Sequence, residues 1–155
     1  PRGNFNLFSS QRILVRQIPS KPPYCINACL TNETALNDLN SINIIDMEIN
    51  PEVILAFLNS RLISYWFISR LGKMQRGTFP QFKVNELEEF PIHKRVKIKQ
   101  EILVRTVQQI ICMKAKDKFS DTYVFEQEID QIIYQLYELT EEEINIVEGG
   151  NGVPN

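Results

Sequence analysis

Side chains that carry chemistry are scarce in this chain, which has one histidine and three cysteines in 155 residues. An odd number of cysteines does not suit a disulfide scaffold and favours a reducing cytoplasm as the location. The residues that could nominally ligate zinc are Cys25, Cys29, Cys112 and His93. Their spacing fits no common zinc finger, and on a strand Cys25 and Cys29 would lie about 13 Å apart. No nucleophile signature accompanies His93. We therefore expect no metal site and no catalytic residue.

Long apolar runs, a signal peptide and an initiator methionine are absent as well. The most apolar stretch, residues 53–68, is interrupted by Asn59, Ser60, Arg61 and Ser64, so we expect no membrane as a partner. The abrupt first residues, PRGNF, and the last, GGNGVPN, indicate a piece of a longer protein. With 43% hydrophobic residues the chain can still build the core of one domain, or of one domain with a small appendage.

Basic residues are missing from the last quarter of the chain. Residues 1–118 hold all 17 lysines and arginines against 10 acids, a net charge of +7, while residues 119–155 hold nine acids, a net charge of −9. The overall net charge of −2 hides this division. A body that binds a polyanion, followed by an acidic helical segment, would have this distribution, although helix faces in water can also be charged without any ligand. The asymmetry favours nucleic acid as the partner.

The pattern of apolar residues predicts an α+β fold. Residues 1–92 would form a small irregular β-sheet with packed helices, residues 93–148 a helical appendage, and residues 149–155 a flexible tail. The strands are predicted at residues 12–18, 24–30 and 42–49, because each is a short apolar run bounded by turn residues. Alternation in the first strand would place Ile13 and Val15 on one face of the sheet and Arg16 on the other.

Capping residues predict where the first helices begin and end. Asn50 would cap a helix that starts at Pro51, with Glu52 near the positive end of its dipole. Apolar residues cover this helix so widely that it must be buried on more than one side. The Asn59-Ser60 pair predicts a break into two helices.

The later helices are predicted at residues 85–90, 94–116, 123–137 and 141–148. Asn85, with Glu88 three residues on, would cap the first of these, which is a single short turn. Thr140 and Glu143 form the equivalent capping box of the last helix, which Gly149 would end. The segment 94–116 is expected to be one long basic helix.

The most informative segment is the connection after the apolar helix, where Gly72, Gly77 and Pro80 prevent the helix from continuing. Its hydrogen-bond donors are Lys73, Gln75, Arg76, Thr78, Gln81 and Lys83. No acid lies between Arg61 and Glu86. Arginine can bind a guanine edge through two hydrogen bonds and glutamine an adenine edge, while lysine and threonine suit phosphates. We predict that these six residues contact DNA; the alternative is an ordinary polar surface loop.

Two further groups of basic residues are weaker candidates. One lies on the first predicted strand and at its exit and comprises Arg12, Arg16, Gln17 and Lys21. An arginine within an apolar strand, such as Arg16, is explained as well by a buried ion pair as by a ligand, so both interpretations stay open. The other group follows the predicted long helix and comprises Lys94, Arg95, Lys97, Lys99 and Arg105. A solvated helix face is the default explanation there, with phosphate contact from the first turn as the alternative.

Five segments, taken in order, resemble one family: RILVRQI (12–18), ACLTNETALNDLN (28–40), ILAFLNSRLISYWF (54–67), GKMQRGTFPQFKVNELEEFPI (72–92) and EIDQIIYQLYELTEEEINIVEG (128–149). Together they are similar to the C-terminal target-recognition domain of TaqI-like and type IIG restriction–modification enzymes. Those enzymes are bacterial adenine-N6 DNA methyltransferases, often fused to an endonuclease. Residues 79–92 with the helix after them are also similar to the recognition domains of type I specificity subunits.

The resemblance implies that this chain reads a short double-stranded DNA sequence through the major groove and holds no cofactor itself. A separate upstream domain of the parent enzyme would bind S-adenosylmethionine and flip the adenine, and Mg²⁺ would be needed if an endonuclease is fused. The implied partners are double-stranded DNA and the catalytic domains of the same parent chain.

The segment itself resembles no catalytic unit. Residues 22–24 read PPY, like the end of the NPPY element of amino-group DNA methyltransferases, but the preceding residue is Lys21. Lysine has no acceptor for the hydrogen bond that the amine donates there. The alternative to DNA recognition is a protein-interaction or spacer module that docks or dimerises through the 94–116 helix, as the spacer helices of type I specificity subunits do.

Overall fold

The structure, a computed structural model, describes residues 8–71, 81 and 83–149. The strands are β1 (Arg12–Arg16), β2 (Ala28–Thr31) and β3 (Ser41–Ile44), and they form an antiparallel sheet in the order β2-β1-β3. The helices are α1 (Pro51–Leu58), α2 (Arg61–Leu71), α3 (Val84–Glu88), α4 (Gln100–Lys116), α5 (Tyr123–Leu136) and α6 (Glu141–Val147), with a 3-10 helix at Lys94–Ile98. This small sheet with packed helices confirms the predicted α+β class.

Alternation along β1 divides the sheet into a buried face and an outer face. Ile13 and Val15 are completely buried and Arg16 is exposed on the opposite face, so the predicted division of the strand into two faces is confirmed. The register pairs Leu14 with Cys29 on one side and Asn43 on the other. Side chains of directly paired residues lie on the same face of a sheet, so these three belong to the outer face.

The second and third strands are shorter than predicted. Cys25 lies outside the sheet, because its N–H donates to the Ser64 hydroxyl at 2.9 Å instead of to a neighbouring strand. The third strand ends at Ile44, and Asp46 then adopts a φ of 51°, which is incompatible with a strand. An apolar, β-branched run shows that a strand is favourable, but not where its pairing partner stops.

Helix α1 is buried on opposite sides because it lies between the sheet and α4. Residues 53–58 are all buried. At its start, the side-chain carbonyl of Asn50 accepts the N–H of Glu52 at 2.9 Å, and Pro51 occupies the first helical position. Both the predicted cap and the predicted two-sided burial are confirmed.

The break between α1 and α2 fastens both helices to the edge of the sheet. The Asn59 side chain accepts the N–H of Ala28 at 2.8 Å and donates to the Ala28 carbonyl at 3.0 Å. Ala28 is the first residue of an edge strand. The Asn59 amide forms the two hydrogen bonds with Ala28 that a residue of an adjacent strand would otherwise form. The Ser64 hydroxyl, which accepts the Cys25 N–H, donates in turn to the Ser60 carbonyl at 3.0 Å. The predicted break at Asn59-Ser60 is confirmed.

The hydrophobic core continues past residue 92. Leu103 and Val107 of α4 and Ile129 and Ile133 of α5 belong to the same buried cluster as the apolar residues of α1. The domain boundary at residue 92 stays a prediction, but the core itself crosses it. No helix among the described residues is long and apolar enough to cross a bilayer.

The predicted helix over residues 94–116 is wrong at its start, because a 3-10 helix precedes α4 and Lys99 separates them with non-helical angles. The His93 ring nitrogen accepts the N–H of Arg95 at 3.2 Å and caps the 3-10 helix. Val96 of the 3-10 helix and Leu103 of α4 are both buried in the same core cluster. Apolar spacing over a single turn does not distinguish 3-10 from α geometry, so the pattern could not show where the α-helix begins.

The caps of the two short helices differ in outcome. The predicted capping by Asn85 is wrong, because α3 begins at Val84 and the N–H of Lys83 donates to the Glu86 carboxylate at 2.7 Å. The box at the start of α6 is confirmed: the N–H of Thr140 donates to the Glu143 carboxylate at 2.8 Å, and the Thr140 hydroxyl accepts the N–H of Glu143.

A buried polar cluster attaches α5 to the start of α2. Asp130 is 2% exposed, and its carboxylate accepts the Arg61 N–H at 2.9 Å and the Tyr24 hydroxyl at 2.8 Å. The Arg61 guanidinium lies 3.4 Å from the same carboxylate. Burial raises the pKa of Asp130 to about 6, even though the hydrogen bonds from Arg61 and Tyr24 act in the opposite direction. This carboxylate is therefore costly to ionise in the folded state.

Replacing Asn59 tests the attachment of the helices to β2. Asn59→Ala removes both hydrogen bonds to Ala28, and we expect it to lower the free energy of unfolding by about 2 kcal/mol in urea titrations. Asn145→Ala is the matched control, because Asn145 is exposed on α6. Equal stabilities of the two variants would contradict the role given to Asn59.

Asp130 should give the stability a distinctive pH dependence. Its pKa is about 6 in the folded chain against a reference value of 3.8, so between these values the folded state holds a proton that the unfolded state has lost. The contribution of Asp130 to the free energy of unfolding is thus full below about pH 4 and falls, by roughly 2–3 kcal/mol, as the pH rises to about 6. Urea titrations of wild type and Asp130→Asn at pH 4–7 measure this. The difference between their free energies of unfolding should be largest at pH 4 and should narrow as the pH rises.

The control for this experiment is Glu88→Gln, which removes an exposed carboxylate outside the cluster. The difference in the free energy of unfolding between Glu88→Gln and wild type should not change over the same pH range. A difference between wild type and Asp130→Asn that is flat, or that grows with pH, would contradict the assignment.

Candidate nucleic-acid interface

One end of the outer face of the sheet is covered by chain that a buried arginine holds in place. Arg12 is completely buried, and its guanidinium donates to the carbonyls of Ser10 at 3.2 Å, Glu33 at 2.8 Å and Ala35 at 2.8 Å. The N–H of Ala35 donates to the Phe8 carbonyl at 3.2 Å. Residues 33–35 are therefore fixed over the Arg12 end of the sheet, and the part of the outer face that other described residues leave open lies at the opposite end.

An open groove of about 530 Å³ occupies that other end. Its apolar lining residues are Leu14, Ile18, Ala28 and Cys29, and its polar ones are Arg16, Asn27, Asp38, Asn40 and Ser41. Mixed apolar and hydrogen-bonding groups in one concave surface suit the edges of bases, which combine amino, carbonyl and methyl groups.

Asn40 joins this groove to the segment that follows the predicted DNA-contacting loop. Its side-chain carbonyl accepts the Gln81 amide at 3.2 Å, and its backbone carbonyl accepts the N–H of Gln17 at 2.8 Å. Its own amide donates to the Asp38 carboxylate at 3.4 Å. The chain thus brings Gln81 to the end of β1 where Arg16 lies, although the two are far apart in the sequence.

The one acid of the groove stays ionised near neutral pH. The Ser41 hydroxyl donates to the Asp38 carboxylate at 2.8 Å, and the N–H of Asn40 donates to it at 3.1 Å. The hydrogen bond from Ser41, followed by that from Asn40, lowers the pKa of Asp38. An ionised carboxylate is an acceptor for the amino groups that cytosine and adenine expose in the major groove.

Arg16 and Lys21 both lie where a polyanion could reach them. Arg16 is exposed at the groove, opposite Ser41, and forms no ion pair with any described residue. The buried ion pair considered for Arg16 is therefore not what the structure contains. Lys21 is exposed on the turn between β1 and β2. This turn is anchored beside the groove, since the Asn27 amide donates to the Ser20 hydroxyl at 2.9 Å.

Arg12 does not have the placement that DNA contact requires. Its guanidinium is enclosed and both of its terminal nitrogens donate to backbone carbonyls, so a phosphate or a base has no access to it. We correct the prediction for this residue and give it a structural role. Arg12 and Arg16 have the same phase in the strand, and only the cover over residue 12 distinguishes them.

The main predicted loop is described only at its end. Gln81 and Lys83 are exposed, and Gln81 reaches the groove through Asn40. Lys73, Gln75, Arg76 and Thr78 lie outside the described residues, so their role stays a prediction.

The basic group after residue 92 is separate from the groove. Lys94 and Lys97 are exposed on the 3-10 helix, which contributes no residue to the groove lining. The Arg95 guanidinium is paired with the Glu138 carboxylate from the acidic end of the chain. These contacts agree with the default interpretation of a solvated face that is partly neutralised by neighbouring acids.

Sequence reasoning missed the polar residues that join the candidate clusters, namely Asn27, Asp38 and Asn40. Asp38 and Asn40 stand between predicted strands, where asparagine and aspartate are ordinary, and Asn27 stands inside the strand predicted at residues 24–30. Only the pairing of β1 with β2 and β3 shows that these residues surround Arg16. A usable signal was the run of hydrogen-bonding residues immediately before a predicted strand.

Comparison with known families identifies the kind of domain that carries this surface. A family model described as the TaqI-like C-terminal specificity domain matches residues 2–92. The match spans the sheet, helices α1–α3 and every residue that lines the groove. Comparison with individually curated proteins gave no match.

Replacing Arg12 tests whether its carbonyl contacts hold the cover in place. Lysine keeps the charge but cannot reach the three carbonyls together, so Arg12→Lys should lower the free energy of unfolding by about 2–4 kcal/mol. Urea titration measures the loss, and Arg105→Lys, at an exposed position of α4, is the control. An Arg12→Lys variant as stable as the control would show that the cover does not depend on the guanidinium.

Proposed function

This chain belongs to the TaqI-like C-terminal specificity domain family, and from that premise we propose that its groove reads the bases of double-stranded DNA. The family places the chain among the DNA-recognition domains of restriction–modification systems. Which residues read the bases is the proposal. The observation that carries it is that Gln81 is hydrogen-bonded to Asn40 and Arg16 is paired with Ser41, so that both lie at the same end of the sheet.

The electrostatics of this end of the sheet support binding of a polyanion. Arg16, Lys21 and Lys83 are exposed, and among the described residues none of them has an ion-pair partner. Phosphate contacts of this kind give affinity and position a protein on the duplex, while contacts to base edges give specificity.

We assign the base-reading role to the polar residues of the groove. Arg16 suits the two acceptors of guanine, and the paired amides of Asn40 and Gln81 suit the donor and acceptor of adenine. Asp38 suits an amino group of a base. Lys21 and Lys83 would contact phosphates. The predicted contacts of Lys73, Gln75, Arg76 and Thr78 complete this proposal, because their segment ends at Gln81.

The chemistry of the parent enzyme is a further part of the proposal. By resemblance, the parent would be an adenine-N6 methyltransferase that uses S-adenosylmethionine, with Mg²⁺ if an endonuclease is fused to it. This chain would contribute specificity and no catalytic residue. It would hold the duplex so that the catalytic domains of the same parent act at one position of the recognised sequence.

The alternative, a spacer that pairs through the 94–116 segment, has less support. The apolar stripe of α4, with Leu103 and Val107, is used inside the core of this same chain. Most of the side chains left outside, such as Arg105, Gln108 and Gln109, are polar, and Ile98 and Ile111 are the large apolar residues of the segment that are exposed. Helix pairing generally needs a continuous apolar seam, and the main apolar stripe of this helix is used inside its own chain.

Substitutions in the full-length parent enzyme test the assignment. The modified motif is first identified by sequencing the methylated DNA of cells that express the wild-type enzyme. Binding to a duplex with that motif is then measured for Arg16→Ala, Gln81→Ala and Arg76→Ala. A lost two-bond base contact should weaken binding by about 1–3 kcal/mol, roughly 5- to 150-fold, and relax the motif at one position.

Arg105→Ala is the control, because it removes one exposed positive charge on α4, away from the groove. It should bind the motif like wild type at moderate salt concentration. If all the variants bind the same motif with the same affinity and degeneracy, these residues are not the readers.

A further inference from the structure

Two leucines on the connection between β2 and β3 are strongly exposed to solvent. Leu39 is 97% exposed and Leu36 is 75% exposed, and both belong to the connection between β2 and β3. The residues on either side of Leu39 in the sequence, Asp38 and Asn40, line the groove. A single exposed leucine needs no explanation, but two on one short connection beside a candidate binding surface do.

The connection that carries them is fixed at several points. Arg12 binds the carbonyls of Glu33 and Ala35 at its start. The Asn37 amide donates to the carbonyls of Asp38 at 3.2 Å and Ser41 at 3.3 Å. The backbone around Leu39 is therefore held by hydrogen bonds on both sides. A fixed connection cannot fold its leucines inward, so their apolar surface stays available for a ligand.

The surroundings of Leu39 decide which ligand fits it. Arg16 and Lys21 lie exposed at the same end of the sheet, and the polar groups of Asp38 and Asn40 lie on either side of the leucine in the sequence. An apolar group set between hydrogen-bonding groups and flanked by positive charges complements the major groove of DNA. There the C5-methyl group of thymine is the apolar feature among donors and acceptors, and phosphates border it.

We propose that Leu39, with Leu36 three residues before it on the same connection, contacts the C5-methyl group of a thymine in the major groove and so adds to the specificity of the domain. The inference rests on the proposed function, since it requires that the groove faces the duplex. It adds a reader that uses no hydrogen bond. The two leucines distinguish thymine from the other bases by one methyl group.

Deoxyuridine gives a direct test, because it differs from thymidine in DNA only by the missing C5-methyl group. The full-length enzyme is titrated with duplexes in which each thymine in and next to its motif is replaced by deoxyuridine, one at a time. Wild type should bind about fourfold more weakly at one position, the loss expected for one buried methyl group. Leu39→Ala should bind the unsubstituted duplex more weakly by a similar factor.

The coupling between the two changes is the decisive result. Leu39→Ala should no longer distinguish thymine from deoxyuridine at the position to which wild type is sensitive. Val124→Ala is the control, because Val124 is an aliphatic residue 74% exposed on α5, which contributes nothing to the groove lining. It should keep the full sensitivity of wild type.

Two outcomes would overturn the inference while leaving the proposed function intact. In the first, wild type binds its motif specifically but no deoxyuridine substitution weakens binding. In the second, wild type and Leu39→Ala lose affinity equally at each substitution. That result would show that Leu39 contacts protein or inserts between base pairs instead of contacting a methyl group. Binding of motif and scrambled duplexes with equal affinity would overturn the proposed function itself.

Discussion

The proposed recognition surface depends on a buried guanidinium that has no carboxylate partner among the described residues. Burying a charge is costly, and here three backbone carbonyls from two separate stretches of chain offset the cost for Arg12. Because these carbonyls belong to residues 10, 33 and 35, the same contacts decide which half of the outer face is covered. The open half, with Arg16, is what remains for a ligand. Arg12, which has a structural role, thus limits the extent of the groove that Arg16 lines.

A sheet of three short strands is too small to hold this geometry alone, so the helices supply its rigidity. Asn59 pairs with the edge strand as a further strand would, and α1 covers the buried face. Asp130 then fastens α5 to the start of α2 by a cluster that is costly to charge. The proposed recognition residues at the ends of strands are in this way supported by contacts from the later part of the chain.

Local rules predicted several features correctly, although the Asn85 cap and the start of the 94–116 helix were wrong, and the features that need distant parts of the chain were missed. The cap at Asn50, the break at Asn59-Ser60 and the box at Thr140 follow from neighbours within a few residues, and all three are present. Arg12 and Arg16 have identical local patterns, yet one is buried and the other exposed because residues 33–35 cover only the first. No periodicity within a strand contains that information.

The extent of the core has a consequence for how such domains are inherited and exchanged. The family match ends at residue 92, but the apolar side of α1 that faces away from the sheet is covered by Leu103 and Val107 of α4. The stretch that is recognisable as a unit of descent is therefore smaller than the unit that folds. A recombination event that moved only residues 2–92 between enzymes would require a recipient whose own helices fit that side of α1. Exchange of specificity among relatives is then limited by helix packing as much as by DNA contacts.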